Sequence, residues 1–162
     1  VRALNRLCAS GDSSASAEPH TQVADDAAGV AQRVLLVEDT PINQTLQSIL
    51  LNRMGYEVSL ANNGIEGVEA FQNSRFDLIL MDIQMPEMGG IEATQHIRAM
   101  EAQQALAKTP IIAVTANALQ GDRERYFEAG MDGYVSKPLT SDSLKSEIER
   151  VLLEANVQRE LP

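Results

Sequence analysis

From Arg33 onward, short apolar runs alternate with segments whose apolar residues recur at helical spacing. Runs such as Val34–Val37 and Leu78–Met81 are only four residues long, whereas a membrane-spanning helix needs about 20, so they read as buried strands. Five strand-then-helix units fit the chain, and such alternation predicts a parallel sheet with helices on both faces. The first unit pairs Val34–Val37 with a helix opened by Thr40 as N-cap and Pro41 at the first helical position. Ile42, Leu46, Ile49, Leu50 and Met54 follow at helical spacing, and Gly55 stops the helix. Val58–Ala61 is the second strand and Gly64–Gln72 the second helix. Phe76–Met81 is the third strand, which puts Asp82 at a strand's carboxyl end before the turn-rich segment 85–90. A helix over Ile91–Ala107, a strand over Ile111–Val114 and a helix over Leu119–Ala129 follow, with Gly130 as a left-handed terminator. Tyr134 and Val135 begin the last strand. The last helix starts after Thr140 or Ser141, with Asp142 favourable in its first turn and Leu144, Ile148, Val151 and Leu152 as its buried stripe.

The pattern also sets domain limits. Residues 8–32 are rich in Ala, Ser, Asp, Gly and Gln, include Pro19 and repeat no apolar face, so they cannot offset their ordering entropy and read as a linker. Leu4 and Leu7 would share one side of a helical turn, which leaves open whether residues 1–7 end a preceding domain. The expected division is a linker or tail over 1–32, one domain over 33–156 and a fraying tail over 157–162. The start at Val1, with neither an initiator Met nor a signal core, reads as an excised piece of a larger protein.

Composition narrows the class. With 44% hydrophobic and 22% charged residues the chain is an ordinary globular one. Its net charge of −10 denies it the basic footprint that nucleic-acid binding needs. Cys8 is the only cysteine, so no internal disulfide forms, and a cytoplasmic setting is the default expectation.

In a parallel α/β sheet, functional groups gather beyond the carboxyl ends of the strands. That rule selects Glu38 and Asp39 after the first strand, Asp82 after the third, Thr115 after the fourth and Lys137 after the fifth. Three clustered carboxylates raise one another's pKa unless a cation intervenes, which points to a hard divalent ion, with magnesium the natural occupant and manganese a possible substitute. Taken singly, the bland readings are the stronger ones: Asp39 or Thr40 as a helix cap, Asp82 as a turn residue, Lys137 as half of a surface ion pair. Their joint placement at strand ends reverses those odds. Tyr134 is evenly balanced between packing and switching, Met85 and Met88 read as gap-fillers, and His20 and His96 as solvated side chains.

Four motifs in this order, Val37–Asn43, Met81–Pro86, Val114–Asn117 and Ser136–Pro138, each at a predicted strand end, strongly resemble the receiver domain of response regulators and hybrid sensor kinases over about residues 33–156. The resemblance implies a flavodoxin-like doubly wound (βα)5 fold with strand order 2-1-3-4-5. It implies that Asp82 attacks a partner's phosphohistidine to give an aspartyl phosphate, beside a metal held by Asp39, Asp82 and the Gln84 backbone carbonyl, with Glu38 acting mainly through water. Lys137 would pair with Asp82 and then with the phosphoryl group, aimed inward by a cis peptide at Pro138. Thr115 would bond the phosphoryl group and move toward it as Tyr134 turns inward, while Gln84 and Asn117 would tune hydrolysis. Thr40, where many receivers carry Asn, and the Glu38–Asp39 pair, where many carry two aspartates, are departures that leave the resemblance intact. The implied partners are a histidine kinase or histidine phosphotransfer domain, including a kinase core within the parent chain, with no nucleic acid and no membrane contact by this segment. A free-standing regulator that binds a target protein, an aspartyl-phosphate phosphatase and a pseudo-receiver are the alternatives. The phosphatase reading is weakened by Gln84, where such enzymes typically carry a second aspartate.

Overall fold

The computed structural model describes residues 31–116 and 119–160. Most of the expected linker, Cys8, His20 and Asn117 lie outside the described residues. Ten elements alternate: β1 (Arg33–Val37), α1 (Pro41–Arg53), β2 (Glu57–Ala61), α2 (Gly64–Asn73), β3 (Leu78–Asp82), α3 (Gly90–Gln103), β4 (Ile111–Thr115), α4 (Gln120–Ala129), β5 (Gly133–Ser136) and α5 (Ser141–Glu160). The five strands form one parallel sheet in the order β2-β1-β3-β4-β5. This is the doubly wound order expected.

Successive strand residues point to opposite faces, so each apolar run supplies both sides of the sheet. Leu35, Val37, Ile79 and Met81 pack with Phe71, Ile97 and Tyr126 on one side. Val34, Leu36, Leu78 and Leu80 pack with Leu51, Leu144 and Ile148 on the other. All five residues of β3 and of β4 are buried, which is why these segments read as unbroken apolar runs rather than alternating ones. Each fully buried aliphatic side chain contributes roughly 1.5–3 kcal/mol.

Register fixes what emerges at the carboxyl edge. Val37 pairs with Met81, Asp82 with Val114, and Thr115 with Ser136. The polar residues that end β1, β3, β4 and β5 therefore leave the sheet almost level with one another. The first residue of α3 closes in from behind: a Cβ on Gly90 would collide with the Asp82 carbonyl oxygen, so only glycine permits this approach.

Three expectations need correction. The apolar spacing of α1 marks a helix but not its buried face: Gln47 and Leu51 are buried, while Ile42, Leu46 and Ile49 stay 75%, 47% and 44% exposed. Thr40 stands at the N-cap, yet its hydroxyl makes no cap and donates instead to Asp39 Oδ1 at 3.4 Å. The third helix ends at Gln103, not Ala107, because Ala105 takes a left-handed conformation with φ 55° and the Leu106 N–H returns to the Glu101 carbonyl. A glycine usually signals such an end, and none stands there. α5 runs from Ser141 to Glu160, with Arg150 paired to Glu147 and Glu154 along its surface.

Candidate functional site

Asp82 ends β3 with 3% of its surface exposed. Its Oδ1 accepts the Gln84 N–H at 3.2 Å and its Oδ2 faces the Lys137 ammonium at 3.3 Å. The same ammonium lies 3.4 Å from Glu38 Oε2, so a single cation bridges two carboxylates from different strands. Glu38 is fully buried; its Oε1 accepts the Thr40 N–H at 3.1 Å and its Oε2 accepts from Gln47 Nε2 at 3.1 Å. Gln44 Nε2 reaches the Glu38 carbonyl oxygen at 2.6 Å. Asp39 is half-buried at the mouth. The Lys137–Pro138 peptide is cis.

Burial is the main force that pushes the Asp82 carboxyl up to about 7, reinforced by the hydrogen bond with Glu38 and by the Glu38 charge, and opposed by Lys137 and the Gln84 N–H. Burial also acts against the charge on Glu38, but hydrogen bonds with Asp82 and the Thr40 N–H, together with Lys137, hold Glu38 below its ordinary value. For Lys137 the loss of hydration is outweighed by Asp82 and Glu38, which raise it. The two carboxyls therefore titrate together, Asp82 raised above and Glu38 held below its ordinary value.

Ligand oxygens of Glu38, Asp39 and Asp82 all lie within 4.8 Å of one another. One ammonium offsets three carboxylates only in part, and the Glu38 charge adds to burial in raising Asp82. A small oxygen-seeking dication fits this donor set and would take the place of the Asp82 proton.

Thr115 ends β4 with 4% exposure, and the Tyr126 hydroxyl of α4 donates to its Oγ1 at 3.0 Å. Tyr134 is half-buried on β5, with the Arg123 guanidinium 4.9 Å from its ring centroid and its own N–H donated to Glu147 Oε2. Gln84 exposes its side chain beside Asp82. Of the five strand-end residues selected from sequence, Glu38, Asp39, Asp82 and Lys137 thus meet in one cluster, and Thr115 ends the neighbouring strand at the same edge of the sheet.

The response regulator receiver domain family matches residues 34–149. The chain belongs to that family. Sensor protein GacS of Pseudomonas syringae is 44% identical over 114 residues, 70% of this chain but only 13% of the GacS length. The receiver domain of a sensor histidine kinase from Pseudomonas aeruginosa, solved with magnesium coordinated in its active site cleft, superposes with a TM-score of 0.68 and 44% identity, covering 76% of this chain and 98% of that one. A yeast receiver solved with its histidine phosphotransfer protein superposes with a TM-score of 0.71 and 33% identity, covering 77% of this chain and 92% of that one.

Two residues of this receiver's site escaped sequence reasoning. Gln47 reaches Glu38 from inside α1, where a polar residue among leucines gives no signal beyond its i, i+4 spacing to Leu51. Tyr126 stands eleven residues beyond Thr115, and only folding brings the two hydroxyls together.

Proposed function

We propose that Asp82 of this receiver accepts a phosphoryl group from a phosphohistidine, with magnesium bound by Asp39, Asp82 and the Gln84 carbonyl. The observation that carries the reading is the half-buried Lys137 ammonium, held between the buried carboxylates of Asp82 and Glu38 next to an acidic triad that calls for a dication. An Asp82 oxygen forms a bond to phosphorus as the phosphorus–nitrogen bond breaks, and that electron pair returns to the histidine. Bound magnesium supplies charge neutralisation for the group in transfer. Lys137, which loses one of its two carboxylate partners when Asp82 becomes an acyl phosphate, remains within reach of a phosphoryl oxygen. Thr115 donates to another, and Tyr134 moves as Thr115 moves. Gln84 and Asn117 tune hydrolysis of the phosphoryl group, and Glu38 would act on the metal mainly through water.

The partner is a histidine kinase or a histidine phosphotransfer domain, and the parent a hybrid kinase in the cytoplasm or at its membrane face. Ile42, Leu46 and Ile49 support this: they form an exposed apolar strip on α1, which begins two residues after Asp39. Among the described residues no helix is long and apolar enough to cross a membrane. A second reading, a regulator module that binds a target, is favoured by one observation. A cavity of about 650 Å³ between α4, β5 and α5 includes Phe127, Tyr134 and Lys137 in its lining.

The test is labelling by acetyl phosphate or a phosphohistidine donor with magnesium. Wild type acquires an alkali-labile phosphoryl group and Asp82→Asn acquires none; labelling that persists in the variant overturns the assignment.

A further inference from the structure

Tyr126 is one of the buried polar side chains that the proposed transfer does not use. It is 3% exposed, its ring is packed in the core with Ile79, Met81, Ile97 and Met131, and its hydroxyl reaches the one residue of β4 that faces the acceptor edge. Both hydroxyl-bearing residues also line a cavity of about 660 Å³ that opens between α3 and α4 and includes Ile83 and Gln84, the residues directly after Asp82. From β5, Tyr134 packs against the same core cluster.

A threonine hydroxyl can rotate and shift, and its resting place is set by whatever it bonds. In this chain the phenol donates to Thr115 Oγ1 at 3.0 Å from a ring that cannot follow far, because it is enclosed by core side chains. A displacement of Thr115 away from the phenol lengthens that bond. We infer that Tyr126 is a positioning residue that latches Thr115 in the resting state, so that part of the interaction with a phosphoryl group is spent in releasing the latch. The inference deepens the phosphoacceptor reading of the same site and rests on it. It gives the fourth helix a direct mechanical link to the switch, separate from Tyr134 on the fifth strand.

A ligand shifts a two-state equilibrium only by its differential affinity, so weakening the resting state tightens apparent binding of whatever favours the other state. The experiment is titration of beryllofluoride, a phosphoryl mimic, with magnesium into wild type and Tyr126→Phe, followed by NMR. Phenylalanine keeps the ring and its packing and removes only the hydroxyl. Tyr126→Phe is expected to bind the mimic about two- to ten-fold tighter, the weight of one neutral hydrogen bond. In a Thr115→Val background the same substitution changes nothing, and in a Thr115→Ser background the tightening returns. A merely structural tyrosine would act alike in all three backgrounds. Equal or weaker binding by Tyr126→Phe, or the same factor with Thr115→Val, overturns the latch. Asp82→Asn separates the two levels: loss of mimic binding there with no effect of Tyr126→Phe sinks the latch alone, whereas binding retained in Asp82→Asn sinks the phosphoacceptor reading itself.

Discussion

Asp82 carries an energetic penalty that makes its environment measurable. Its carboxyl is pushed up to about 7 in the folded chain from an ordinary value of 3.8. Between those limits the folded form holds a proton that the unfolded form has released, so the contribution of Asp82 to stability is fully present below about pH 4 and is lost as pH rises toward 7. Glu38 is lowered from 4.5, so its opposite contribution is lost only below that value and leaves the upper window to Asp82. In a chelator, urea unfolding should therefore show stability declining with rising pH between pH 5 and 7, by at most about 1 kcal/mol per pH unit from this group. Asp82→Asn should flatten that decline; a slope that survives the substitution would assign it elsewhere. The placement of Asp82, Lys137 and Thr115 at one edge was legible because a parallel sheet presents its strand ends together. Gln47 and Tyr126 were not, because each does polar work from a helix face that patterning reads only as core.

The helices show where periodicity stops informing. In α5 the stripe Leu144, Ile148 and Val151 is buried as its spacing requires. In α1 an equally regular strip, Ile42, Leu46 and Ile49, faces outward, because the sheet side of that helix is taken by Leu51 and by Gln47 bonded to Glu38. Spacing tells that a helix has an apolar face; it does not tell whether the face meets this chain's core or another molecule. If the strip serves a partner, Leu46→Glu should leave unfolding free energy within about 0.5 kcal/mol of wild type, as for most exposed substitutions. The same variant should slow phosphotransfer from a histidine phosphotransfer protein by ten-fold or more, measured in a stopped reaction. Undiminished transfer would remove α1 from the docking surface. The early end of α3 at Gln103 teaches a related lesson, since Ala105 adopts without a glycine the left-handed turn that usually announces itself with one.

Across the molecule, strand order and register convert four separated motifs into one site. β1 lies beside β3, β3 beside β4, and β4 beside β5, so residues 38, 82, 115 and 137 converge although they span a hundred positions of sequence. Both core clusters exist to hold that sheet, and the Asp82 carboxylate sits where its edge is most crowded with charge. The most direct test is to phosphorylate the chain with a phosphohistidine donor and magnesium, reduce it with borohydride and map the product by mass spectrometry. An acyl phosphate on Asp82 predicts homoserine at position 82 and nowhere else. An intact aspartate at 82, with the phosphoryl group found on another residue, would contradict the account.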